Sequence, residues 1–454
     1  MTPTPDAILV RASILHFLAD PGEQDDPAAW QYFEDGALFI QAGRVTKCGD
    51  WSDVLAALPS LTRDTARYFD YRGKLVMPGF IDSHVHYPQL RVMGSWGRQL
   101  LDWLTDYTFP AEKSLADENV ARQTASFFLD RLLAHGTTTA SVFATVHPQS
   151  VDAFFGEAQK RNLRMLCGKV MMDRNCPDDL RDTAEDSLRD GYALIERWHG
   201  KGRLRYSVTP RFAPTSTSAQ LHAAAELFHS RPDMHLQSHL SENTGEMAWV
   251  AELFPDCRDY LDVYESHGLL GRGAIYGHGI HLSENEMARL AASETAIAFC
   301  PTSNLFLGSG WCPHADLSRA GVGLGLATDV GGGTSLSMIR TMAAAYDVGQ
   351  AGRQTLSPWK AWYLATLGGA KALALDEFVG NFLPGREADF VVLDMQTIPE
   401  LAYRLDFAQT LSEKLFALMM LGDDRSVVAT HVLGERASYA QAHRSDGSAA
   451  PTVR

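Results

Sequence analysis

The chain has 454 residues, enough for two or three domains and a large buried core. At 45% hydrophobic and 21% charged it reads as an ordinary globular protein rather than a disordered or fibrous one. Its formal net charge of -15, from 55 acidic against 40 basic residues, excludes a general nucleic-acid binder, which needs a basic surface.

Residues 1–74 hold short β-like runs such as Ala37–Ile40, followed by Gly43-Arg-Val-Thr, and a polar loop at 20–28. No basic leader precedes an apolar stretch, and Arg11 interrupts the first such stretch, so no secretion signal is predicted. No run of about 18 apolar residues occurs, so no membrane span is predicted either. The six cysteines are scattered and form no CxxC pair, which suits reduced thiols. A cytoplasmic location is expected.

From residue 75 the pattern changes. Eight strands are predicted at Leu75–Asp82, Thr137–Ala144, Arg164–Met172, Leu204–Pro210, Met234–His239, Ala274–Gly277, Ala296–Cys300 and Val322–Thr328. Most are continuous apolar runs, as strands buried on both faces require. Helical periodicity lies between them at Asn119–Ala134, Asp152–Arg161, Ala184–His199, Ala219–His229, Glu246–Leu253 and Glu284–Ser293. Eight alternating units predict an α/β protein with a closed (β/α)8 TIM barrel. The rival open sheet lacks its fingerprint, because Gly321-Val-Gly-Leu-Gly325 lies inside a strand and not at a turn into a helix. The last strands, Ala388–Leu393 and Ser426–Leu433, are expected to join residues 1–74 in a small β-sandwich domain formed by both termini. The expected division is 1–74 and 380–440 for that domain, 75–379 for the barrel, and 441–454 for a disordered tail.

Barrel enzymes place their reacting groups at the C-terminal ends of the strands. Those ends carry His84 and His86, Arg211 and Phe212, His239 with Glu242 just beyond it, His278, and Asp329 ahead of Gly331-Gly-Gly333. Alternation puts His84 and His86 on one face of their strand, where two imidazoles can grip one ion. Neutral imidazoles and a carboxylate suit zinc, so His84, His86, His239 and Asp329 are the predicted ligands, with iron open to the same set. One ion per chain is expected, because Lys169 falls on the third strand and reads as the partner of a buried acid rather than as a metal bridge. Glu242 stands where a general acid/base would reach the substrate without being a ligand. His278 would hydrogen-bond the attacking water or the tetrahedral oxygen, and Asp329 would also take the water's proton. Asp82 is expected to be structural or to orient a ligand histidine. His135, His147, His235, His267 and His281 lack the strand-end register and are read as structural or surface residues.

Met77-Pro-Gly-Phe-Ile-Asp-Ser-His-Val-His86, Ala365-Thr-Leu-Gly-Gly-Ala370 and Leu383-Pro-Gly-Arg-Glu-Ala-Asp-Phe-Val-Val-Leu-Asp394 resemble the amidohydrolase superfamily. Narrower stretches resemble its guanine deaminases. These are Trp103-Leu-Thr-Asp-Tyr-Thr-Phe-Pro-Ala-Glu112, Gly168-Lys-Val-Met-Met-Asp173, Pro210-Arg-Phe212, Gln237-Ser-His-Leu-Ser-Glu-Asn243 and Thr328-Asp-Val-Gly-Gly-Gly333. The resemblance implies attack of water at C2 of guanine, a proton from Glu242 to the adjoining ring nitrogen, and loss of ammonia to leave xanthine. It implies that Gln89 and Arg211 hold the purine edge, Arg211 reading the O6 carbonyl, and that Phe212 packs on the ring. Glu242 would also touch the substrate. A homodimer is implied by the resemblance alone. The aromatic segment Trp96–Pro110 is expected to close over the bound purine. Two other readings are weighed against this one. A deaminase or chlorohydrolase of another amino-heterocycle, a triazine or a pterin, conflicts with Pro210-Arg-Phe212. A non-catalytic binding protein of the same fold conflicts with the complete set of site residues.

Overall fold

The apolar run at 75–82 is two strands, not one. In the computed structural model, which describes residues 7–58, 66–96 and 100–439, the chain lays down β1 (Ala7–Phe17), β2 (Trp30–Gln41), β3 (Arg44–Asp50) and β4 (Arg67–Pro78) before Gly79 breaks the run. β5 (Phe80–His86) then begins a second sheet. A Cβ on residue 79 would stand 2.2 Å from Thr138 Oγ1, so only glycine lets the chain cross there from one sheet to the other. A single apolar run carries no mark of such a transfer, because both halves are buried.

The second sheet continues through β6 (Thr137–Phe143), β7 (Arg164–Gly168), β8 (Val170–Met171), β9 (Arg205–Pro210), β10 (His235–Leu240), β11 (Ala274–His278), β12 (Ala296–Phe299) and β13 (Leu324–Leu326). Its order is β13-β12-β11-β10-β9-β7-β6-β5, all parallel, with β8 paired only to β9. Backbone bonds from His86 N to Val330 O (2.7 Å) and from Asp329 N to His84 O (2.9 Å) tie the first strand to the end of the last. This is the predicted eight-stranded α/β barrel. Its third strand is divided around Lys169 into β7 and β8, where one run was predicted. The six predicted helices form within a few residues of their expected limits, among them Glu118–Ala134 and Ala184–Trp198.

β14 (Phe390–Leu393), β15 (Val427–Val432) and β16 (Glu435–Arg436) return to the first sheet, whose order is β16-β15-β14-β4-β1-β2-β3. Every pairing in it is antiparallel except β1 with β4. Both chain ends therefore build one sheet beside the barrel. The helices Met338–Ala351 and Leu411–Leu421 were not predicted, although Thr410 and Glu413 form a capping box for the second. The predicted tail at 441–454 lies outside the described residues.

The sheet is bolted to the bottom of the barrel by buried charge. Arg164, at the start of β7, donates to Glu387 (2.7 and 2.5 Å), and Arg203 donates to Glu387 (2.9 Å) and to Asp389. All four side chains are nearly inaccessible to solvent. Two guanidinium groups against two carboxylates leave no net charge in the low-dielectric interior.

Candidate functional site

At the opposite end of the same strands, the predicted residues converge. His84 and His86 leave β5 on one face, with their Nε2 atoms 3.2 Å apart. His239, from β10, brings its Nε2 to 3.3 Å from His86 Nε2. Asp329 Oδ1 stands 3.4 Å from the Nε2 of both His84 and His86. The approach depends on Gly277, where a Cβ would meet the His84 ring at 2.9 Å.

These spacings test whether a metal fits. Ligands about 2.0–2.1 Å from a tetrahedral ion stand about 3.3–3.4 Å from one another. The His84–His86, His86–His239, His84–Asp329 and His86–Asp329 contacts lie at or near that separation, too close for the nitrogens all to carry protons. His84, His86 and His239 form one potential ion-binding triple, and His84, His278 and Asp329 form an overlapping one. The remaining nitrogen of His239 is fixed by a 2.6 Å contact with Arg211 O, which leaves its Nε2 lone pair facing the cluster. Burial drives the His86 imidazole down to about 3 and that of His239 well below its ordinary value, so both are neutral donors. Burial opposes ionisation of Asp329, but His84 and His86 hold its carboxyl well below the usual range.

His278 faces the cluster from β11. Its Nδ1 is 2.8 Å from Asn304 Oδ1, and its Nε2 is 3.3 Å from Glu242 Oε2 and 3.8 Å from Asp329 Oδ2. Its backbone φ is 75° and that of Asp329 is 47°, a left-handed region that costs side-chain-bearing residues about 1–3 kcal/mol each. Glu242 accepts from Ser309 Oγ (3.2 Å). Burial first, and then the neighbouring Asp329 charge, push its carboxyl up to about 8. Behind it, Glu246 accepts from the backbone N–H groups of Glu242 (3.0 Å) and Asn243 (3.1 Å) and from Tyr260 Oη (2.7 Å). That arrangement is the capping box of helix Thr244–Leu253, and it fixes the main chain carrying the acid.

A small cavity opens beside the cluster. Gln89, Arg211, Phe212, Glu242, His278 and Asp329 line it, together with Leu100, Trp103, Leu104 and Leu307. Gln89 reaches it because Tyr87–Val92 coils into a short 3-10 turn, held by the Tyr87 hydroxyl donating to Ser150 O (2.8 Å). Every predicted site residue is thus brought to one place. Four contributors were missed: Glu112, Asn304, Ser309 and Glu246. Only Glu246 had a local signal, the Asn243-x-x-Glu246 spacing.

Asp82 does not touch a histidine ring. It accepts from Thr328 N (3.0 Å) and the Thr328 hydroxyl and, at 3.4 Å, from His84 N, so it pins two strand ends. Lys169 pairs with buried Asp182, as expected, and contributes nothing to the ion cluster. In the aromatic segment Trp103 is buried against Phe212 and lines the cavity, whereas Trp96 is 72% exposed. Leu100, Trp103 and Leu104, not Trp96, line the cavity, and residues 97–99 of the predicted closing segment lie outside the described residues.

The amidohydrolase family model matches residues 75–437. The guanine deaminase of Escherichia coli is 50% identical over 407 residues, which are 90% of this chain and 92% of that protein. The chain belongs to the amidohydrolase family, among its guanine deaminases. Solved members superpose on it closely. The E. coli guanine deaminase structure gives a TM-score of 0.92 at 47% identity, covering 95% of this chain and all of that one. The guanine deaminase from C. acetobutylicum, solved with guanine in its active site, gives 0.84 at 28% identity, with coverage of 95% and 100%. Amidohydrolases are generally metal-dependent, and the imidazole and carboxylate cluster of this member has the donors and spacing for an ion.

Proposed function

We propose that the protein hydrolyses guanine to xanthine and ammonia at this site. The observation that carries the reading is that one cavity adjoins an ion-binding cluster and is edged by Arg211, Gln89 and Phe212. His84, His86, His239 and Asp329 would hold one Zn²⁺, the same donors being open to Fe²⁺. A divalent ion there supplies Lewis acidity that brings the ionisation of water towards neutral pH.

The side chains account for the rest. Arg211 offers N–H donors to the O6 carbonyl, which an amino group at that position would not accept, so guanine is preferred to adenine. Phe212 packs against the ring. Glu242, protonated near neutrality, gives its proton to N3 as water oxygen adds to C2, while Asp329 takes a proton from that water. His278 orients the water. The tetrahedral carbon then bears a hydroxyl and the amino group. Asp329 returns its proton to the amino group, the C2–N bond breaks, and the hydroxyl proton passes to Glu242 as the carbonyl forms. Both carboxyl groups end as they began.

The reading extends to a homodimer in the cytoplasm. Six unpaired thiols suit a reducing compartment, and the exposed ring pair Tyr403–Phe407 suits a contact surface. Sedimentation tests the dimer, and a monomer at micromolar concentration ends that part. For the activity, the conversion of guanine is followed by absorbance with and without a chelator, beside adenine. Chelator-sensitive formation of xanthine is expected. Absence of turnover in the metal-loaded protein overturns the assignment.

A further inference from the structure

We infer that Glu112 is a positioning residue that sets the donor and acceptor pattern of the purine edge; the inference rests on the guanine reading above. Glu112 lies on the short helix Phe109–Lys113 and is 1% exposed. It does not line the cavity. Both of its oxygens accept from Arg211 Nη1, at 2.9 and 2.7 Å, and Oε1 also accepts from Gln89 Nε2 at 3.0 Å. One buried carboxylate therefore holds both side chains assigned to the purine edge.

The chemistry of each partner makes this contact directional. An ionised carboxylate only accepts, so Gln89 must turn its amide nitrogen towards it. The amide oxygen is then directed to Gly331 N–H, which it accepts at 3.3 Å. Both ends of the amide are assigned, and the group cannot rotate by 180° without facing oxygen to oxygen and nitrogen to nitrogen. Arg211 is anchored through Nη1 alone. Its Nε and Nη2 groups have no protein partner among the described residues, which leaves them as donors for the ligand. The ring of Phe109 lies 5.4 Å below the guanidinium carbon and restricts its swing. Glu112 also offsets the Arg211 charge, so the recess gains donors without an unpaired buried cation. A ligand carbonyl meets fixed donors, and a ligand lacking one leaves them unpaired.

The test uses metal-loaded enzyme, with hypoxanthine and purine as competitive inhibitors. The first carries the 6-carbonyl and the second does not, and neither has an amino group to lose. In Glu112→Gln the acceptor-only group becomes one that also donates, so Gln89 can turn over and Arg211 loses its anchor. The ratio of the two inhibition constants should fall at least about tenfold. The KM for guanine should rise by a similar factor, with kcat within about threefold and metal content unchanged. Glu112→Asp keeps the charge but shortens the reach. It should lower the ratio at least about threefold and less than Glu112→Gln does; if Glu112→Gln does not fold, this smaller loss carries the test. Unchanged ratios, or equal weakening of both inhibitors, overturn the inference. Failure of the guanine assignment shows separately, as wild-type enzyme that has no guanine turnover yet still has a measurable ratio.

Discussion

The barrel buries charge at both ends, and the two ends follow opposite rules. At the bottom, Arg164 and Arg203 meet Glu387 and Asp389, cation against anion. At the mouth, four imidazoles and the carboxylates of Asp329 and Glu242 crowd together, while the Arg211 guanidinium nearby is already engaged by Glu112. Equal burial thus gives a closed, neutral joint in one place and a set of converging lone pairs in the other. A buried group whose partners are all protein serves the fold. A buried group whose lone pairs converge on a common point asks for an ion or a substrate.

Mutation should separate the two ends. The largest effect is expected at the ion cluster, where His86→Ala should reduce both bound metal and turnover to background. Metal analysis beside rate measurement checks this, and a fully active variant would mean that the mouth is not the site. Glu242→Gln should keep the metal and lose about 10²- to 10⁴-fold in rate, because only proton transfer is removed. Metal loss in that variant would move Glu242 into the ligand set.

The bottom should respond in the reverse sense. Arg203→Met leaves Asp389 and part of Glu387 without a cation, which should cost about 3–5 kcal/mol in urea unfolding. The rate per folded molecule should stay near wild type. A stable but inactive Arg203→Met protein would erase the distinction between the two ends.

The smallest effect concerns His431, in the sheet joined to the bottom. Its Nδ1–H donates to Gly434 O (2.9 Å), its Nε2 accepts from Tyr71 Oη (2.9 Å), the ring stacks on Phe390, and burial pushes its pKa down to about 4. The unfolded chain binds this proton near pH 6.5, so between about 6.5 and 4 it holds more protons than the folded one. His431 therefore contributes stability that is complete above pH 6.5 and is lost as the pH falls to about 4. The loss is at most about 1.4 kcal/mol per pH unit. His431→Gln should flatten that part of the stability profile, measured by unfolding at several pH values. An unaltered slope would assign the acid loss elsewhere, the other depressed histidines His16 and His235 coming first.

Much of this organisation was legible without coordinates, for a local reason. Alternation of buried runs and amphipathic helices predicted the barrel, and the end of each run marked the layer in which His84, His86, His239, His278 and Asp329 would meet. The pattern failed where one signal had two causes. The stretch 75–82 is apolar throughout, yet its halves belong to different sheets. The third strand is interrupted at Lys169, whose charge is neutralised by Asp182, a residue of a later loop.

Residue order and residue type alone determined the fold class and the family. Both depend on local periodicity and on what a side chain can donate or accept. Only the tertiary structure decided how the purine edge is held. Glu112 is 23 residues from Gln89 and 99 from Arg211, and no periodic pattern spans such separations. The left-handed backbone at His278 and Asp329 is likewise a product of packing. Each residue alone prefers another conformation, and it holds this one because surrounding strands supply more free energy than the strain costs.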